Sequence, residues 1–95
     1  MPPIFPDIKE LEVVETDIDE QLPSKLIVWN DDINSFDWVI ESLMKVCEHT
    51  SEQAAQCAWI IHTKGKYAVK TGALSELRPM REALVERQIG ATIEY

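Results

Sequence analysis

The stretch Leu26-Ile-Val-Trp-Asn-Asp-Asp-Ile-Asn-Ser-Phe-Asp-Trp38 constrains this chain more than any other. Its four apolar residues, Leu26 to Trp29, predict a short buried strand. They halt at Asn30-Asp31-Asp32, three polar side chains with no positive charge nearby in sequence. Asn34 and Ser35 are helix N-cap types, and Asp37 falls in a first helical turn, where the helix dipole favours an anion. A strand ends, an acidic corner follows and a helix begins. Taken alone, that corner is equally well a capped strand-to-helix turn with no further role.

The patterns downstream are consistent with a body built around this corner. Phe36, Val39, Ile40, Leu43, Met44 and Cys47 recur at helical spacing, with Asp37, Glu41 and Lys45 opposite. Thr50-Ser51-Glu52-Gln53 is a capping-box pattern opening a second helix through Ala54, Ala55, Cys57, Ala58 and Ile61, with Gly65 placed to end it. Lys66 to Thr71 alternates as a half-buried strand, with Tyr67 and Val69 on one side. A third helix follows Gly72, with Leu77, Met80, Leu84 and Val85 inward and its end near Gly90. Pro79 suits only a first turn, which puts the regular part near Arg78. Ala91 to Tyr95 alternates as a last strand. The expected fold is α/β: a two-layer sandwich of a three-stranded antiparallel sheet and three helices, in the order β-α-α-β-α-β.

Ninety-five residues make one domain. The net charge of −8 is uneven: residues 1–25 carry −5 and the remainder −3. Prolines at 2, 3, 6 and 23 and mutually repelling acids predict a flexible acidic arm over residues 1–24, ahead of a core at 25–95. With no basic stripe, nucleic acid is not an expected partner. With no apolar run near the ~18 residues of a membrane span, and no secretory pattern, a cytoplasmic monomer is expected. Cys47 and Cys57 sit in helical apolar patterns and read as reduced core thiols; no metal or cofactor is expected. Trp29, Trp38 and Trp59 read as core or edge packing.

His62 carries the functional question. It shares a helix face with Ala58 and follows Ile61, so an imidazole stands at the rim of a small apolar patch. On its own it is as readily a helix-terminal residue facing the dipole. If the Asn30 corner lies beside it, however, the site offers an amide oxygen, two carboxylates and a neutral imidazole, all acceptors. An ammonium with three N–H donors fits such a set better than calcium, which wants more oxygens and a glycine-bearing loop. Phe36, Val39, Ala58 and Ile61 would line an apolar slot next to it. A cation beside an apolar slot describes a free α-amino group with a hydrophobic first side chain.

These residues, Asn30-Asp31-Asp32 with Phe36, Val39 and the later Ile61-His62, resemble the ClpS family of bacterial adaptors, from about Lys25 to the C-terminus. The resemblance implies a non-enzymatic adaptor that captures N-degrons, proteins beginning with Leu, Phe, Tyr or Trp. It would pass them to the N-terminal domain of a ClpA- or ClpC-type AAA+ unfoldase for proteolysis. By that likeness Asn30, Asp31 and His62 contact the α-amine, and Asp32, Asn34, Phe36, Val39, Ala58 and Ile61 shape the side-chain pocket. Better-known members carry methionine at the places of Phe36 and Ala58: here the rim is bulkier and the wall smaller.

Two other function classes are consistent with parts of the pattern. A small hydrolase would use His62 as base with Asp31 orienting it, but needs a nucleophile and an oxyanion hole. The chain has no Gly-x-Ser-x-Gly element, and both cysteines fall in core-facing positions. The C-terminal domain of the ribosomal stalk protein has a similar architecture and docks translation factors, but likeness of fold is not likeness of function.

Overall fold

One central strand sets the register of the rest. In the computed structural model, which describes residues 23–95, β1 (Pro23–Trp29) lies between β2 (Lys66–Ala73) and β3 (Ala91–Glu94) and is antiparallel to both. The helices α1 (Phe36–Cys47), α2 (Ser51–Lys64) and α3 (Leu74–Glu86) complete the expected order β-α-α-β-α-β. Leu26 and Val28, at alternate positions of β1, are fully buried with Leu43, Cys47, Ala54, Ile61, Leu77, Leu84 and Ile89 in one core. α2 and α3 lie against the sheet, while α1 makes its main contacts with those two helices.

Local chemistry explains where the helices start and stop. The Ser35 hydroxyl accepts the Trp38 N–H at 3.1 Å and caps α1. The Thr50 hydroxyl accepts the Gln53 N–H at 3.1 Å while the Gln53 side chain accepts the Thr50 N–H at 3.0 Å, closing the capping box of α2. Gly65 ends α2 in the left-handed region at φ 94°, its N–H bonded to the Ile61 carbonyl at 2.9 Å. α3 ends in the same way but with Gln88 at φ 70°: Gln88 and Ile89 donate back to the carbonyls of Val85 and Leu84.

Several boundaries differ from expectation. β1 begins at Pro23 rather than Leu26, so Pro23 and Ser24 of the expected arm belong to the sheet; the arm's residues 1–22 lie outside the described residues. Trp29, at the strand's other end, is 42% exposed rather than buried. α3 starts at Leu74, directly after β2, and carries Pro79 inside it. The missing Pro79 N–H costs one bond to the Ser75 carbonyl, and Ser75 is exposed, so water can satisfy that group. Val85 is 52% exposed because the helical period beyond Leu84 carries it outward.

Arg87, the cap residue after α3, ties α1 down. Its guanidinium lies 4.3 Å from the Trp38 ring centre, its Nε donates to the buried Ser42 hydroxyl at 2.8 Å, and it reaches Glu41 at 3.1 Å. Three carbonyls in the short α3–β3 connection also accept: Arg87 from Trp38 Nε1 (2.9 Å), Gln88 from Asn34 Nδ2 (2.8 Å) and Gly90 from the Trp29 N–H (2.9 Å).

The Gly65 carbonyl accepts the Asn30 N–H at 2.8 Å, so the end of α2 is fastened to the end of β1. A Cβ at Gly65 would meet nothing within 4 Å, which leaves backbone conformation as the only penalty. Gly65→Ala is therefore expected to lower the unfolding free energy by about 1–2 kcal/mol with unchanged circular dichroism, measured by urea titration.

Candidate functional site

The bond between Asn30 and Gly65 brings His62 within one turn of the acidic corner. Asn30, Asp31, Asp32, Asn34, Phe36, Val39, Ala58, Ile61 and His62, all nine residues singled out in the sequence, line one cavity of about 290 Å³. That is close to the lower end of ligand pockets, and suits a side chain better than a cofactor. Ala58 and Ile61 form its buried wall, Val39 is half-buried, and Phe36 and His62 stand exposed at the rim. The Phe36 and His62 rings meet edge-on, their centres 6.3 Å apart at 83°.

Asp31 organises the corner from within. Its Oδ1 accepts the backbone N–H groups of Ile33 (2.9 Å) and Asn34 (2.8 Å), and its Oδ2 accepts Asn34 Nδ2 (2.8 Å). The Asn34 backbone N–H bond is the largest influence holding this carboxyl below its usual range; partial burial opposes it, and the other two bonds add to it. Asn34, expected to shape the pocket, is also a strut: its amide nitrogen bridges Asp31 to the Gln88 carbonyl. Each carboxylate oxygen has two lone pairs, so Asp31 keeps accepting capacity after these bonds. Among the described residues, neither Asp31 nor Asp32 forms an ion pair with a lysine or arginine. The pocket is rich in acceptors and negative charge, with an apolar floor.

The other chemistry-bearing residues lie elsewhere. His49 stands after α1, its Nδ1 3.9 Å from Cys57 Sγ, and lines a separate hollow with Gln53, Tyr67 and Val69. Burial holds the His49 imidazole below its ordinary value; nearby Lys70 acts in the same direction and the Val69 carbonyl opposes it. Burial pushes the Cys47 thiol up to about 11, with Lys70 opposing and Cys57 adding, and raises Cys57 too. Thiols held protonated at neutral pH make poor nucleophiles. No helix among the described residues is long and apolar enough to cross a membrane.

Two residues beside the pocket escaped the sequence reading. Gln88 acts through its backbone carbonyl, which no side-chain pattern reveals. Trp59, expected to pack, is 60% exposed and lies against His62, ring centres 6.3 Å apart at 42°. Its spacing of three residues from His62 on one helix was the available signal. Trp29 and Trp38, by contrast, do pack at edges, each giving its indole N–H to a partner.

Sequence and fold match one protein class. Residues 19–92 match the family model for the ATP-dependent Clp protease adaptor protein ClpS, and the chain belongs to that family of non-catalytic Clp protease adaptors. ClpS adapter proteins of Corynebacterium aurimucosum and Corynebacterium diphtheriae are 27% and 26% identical to it over 93 and 89 residues. Those matches cover 98% and 94% of this chain and 84% and 79% of the relatives. The structure of Agrobacterium tumefaciens ClpS2 bound to L-phenylalaninamide superposes with a TM-score of 0.71 at 18% identity, over 76% of this chain and 94% of that one, which shows a shared fold.

Asp31→Ala removes three hydrogen bonds at a partly exposed corner and is expected to lower stability by about 1 kcal/mol at pH 7. A carboxylate whose folded pKa is depressed stabilises above its unfolded value and loses that contribution as pH falls through the folded one. The gap between variant and parent, measured by urea unfolding at several pH values, should therefore narrow as the solution is taken down through the acidic carboxylate range.

Proposed function

We propose that this chain is an N-degron adaptor. It binds proteins through a free α-amino group and a hydrophobic first side chain, and passes them to a Clp-family AAA+ unfoldase of the ClpA or ClpC type. The observation that carries this reading is the single cavity in which Asn30, Asp31 and His62 stand beside Val39, Ala58 and Ile61. An ammonium supplies donors to the polar side, and the adjoining side chain fills the apolar side. The amine sits with Asn30, Asp31 and His62; Asp32, Asn34, Phe36, Val39, Ala58 and Ile61 shape the side-chain slot. L-phenylalaninamide, the ligand named for the Agrobacterium relative, has the same two features: a free α-amine and an apolar side chain with a neutral carboxamide beyond.

The energies fit a carrier. Burying a leucine or phenylalanine side chain contributes about 1.5–3 kcal/mol. Each charge-assisted hydrogen bond to the ammonium adds roughly 1.5–3 kcal/mol. With three such bonds the gross gain is about 6–12 kcal/mol, so after ordering costs the affinity is about micromolar at its tightest, enough to select a substrate and weak enough to release it.

A peptide beginning with Leu or Phe should bind and its N-acetylated twin should not, because acetylation removes the charge and two donors. Fluorescence anisotropy on the pair is the direct measurement; equal affinities would refute the reading. His62→Ala should weaken the free-amine peptide by roughly tenfold or more, the loss of one charge-assisted bond. Delivery is tested separately. Removing residues 1–22 should leave peptide binding unchanged and slow degradation of a Leu-led reporter by the cognate unfoldase and protease; an unchanged rate would leave the acidic arm without a part in hand-over.

A further inference from the structure

We infer that Trp59 is a subsite for the second residue of a captured chain: its indole is a shelf for an apolar or aromatic side chain, adjoining the pocket that takes the first. The subsite presupposes capture of a free amino terminus as proposed above.

The three tryptophans are not equivalent. Trp29 donates its indole N–H to Thr92 Oγ1 at 2.9 Å and has the Lys66 ammonium 4.8 Å from its ring centre. Trp38 donates to the Arg87 carbonyl at 2.9 Å and carries the Arg87 guanidinium on its face. Trp59 is the most exposed of the three, and among the described residues its N–H has no hydrogen-bond partner and no cation covers its ring. Among the described residues its one ring neighbour is His62. Helical side chains lean over the preceding turn, and Trp59 accordingly bounds a shallow hollow with Ala55, Gln56 and Ile60.

Position supplies the occupant. An ammonium held at His62 with its side chain in the pocket sets the second Cα about 3.8 Å beyond the first. Successive side chains of an extended chain point to opposite sides, so the second turns away from the pocket and across the rim. Trp59 lies outside the pocket lining but next to its rim, its ring centre 6.3 Å from that of His62, and the hollow it bounds begins there. A large, rigid, amphipathic ring gives contact area at low entropic cost, and its indole N–H is a donor that a peptide carbonyl can use.

The test is anisotropy with full-length protein and peptides that share a first Phe and carry Gly, Asp, Leu or Trp second, each with an N-acetylated twin. Wild type should prefer Leu or Trp over Gly at the second position by about fivefold. Trp59→Ala should reduce that preference to within about twofold while leaving the Gly-second peptide unchanged, and Trp59→Phe should keep part of it. A wild type indifferent to the second residue, or a Trp59→Ala variant weaker toward all peptides by one common factor, overturns the subsite. If the free amine is required but the second residue is not read, the shelf alone fails. If acetylated twins bind as tightly as free ones, the capture reading falls and the shelf with it.

Discussion

The pocket depends on one main-chain hydrogen bond, from the Asn30 N–H to the Gly65 carbonyl at 2.8 Å. It joins the first residue after β1 to the residue that ends α2. Neither partner is a pocket-forming side chain by virtue of this bond, yet it fixes the distance across which the Asn30 amide and the His62 imidazole share a cavity. Gly65 presents that carbonyl from a left-handed conformation, φ 94°, that a residue without a Cβ adopts free of strain. Sheet registry supports the same junction from behind, where Trp29 pairs with Lys66 immediately past the helix end.

Around this junction the site is held in shape by its own bonds before any ligand arrives. Asp31 is anchored by two backbone N–H groups and the Asn34 amide, so its carboxylate is oriented and kept ionised. Acceptors already held in place lose little entropy when a donor meets them. The apolar wall differs in kind. Ala58 and Ile61 are rigid and buried on α2, whereas Phe36 leans edge-on toward His62 at the surface. One side of the pocket is fixed by hydrogen bonds and the other by packing.

Much of this was legible in the sequence because the site is built from short-range signals. The apolar run into Asn30-Asp31-Asp32, the Ser35 cap, the Thr50 capping box and the i, i+4 placement of Ala58 and His62 are each local, and local rules placed them correctly. Where expectation and structure parted, a non-local or backbone term had decided. Pro79 sits inside α3, where the carbonyl that its ring leaves without the usual N–H donor belongs to an exposed residue, Ser75. Pro23 and Ser24 join the sheet because Gly72 and Ala73 lie opposite them, a pairing no window around residue 23 contains. All three tryptophans read as packing from sequence; only the fold shows Trp29 and Trp38 giving their indole N–H groups to partners while that of Trp59, among the described residues, has none.

The connection between α3 and β3 has a different consequence. Its grip on the corner, on α1 and on β1 runs through the carbonyl oxygens of Arg87, Gln88 and Gly90, groups that every amino acid supplies. At Gln88 and Gly90 such a brace makes no use of the side chain, whereas Arg87 adds its guanidinium on Trp38 and Glu41 and its Nε on Ser42. Inserting or removing a residue would shift all three oxygens at once. The loop's length therefore sets the corner, α1 and β1 together.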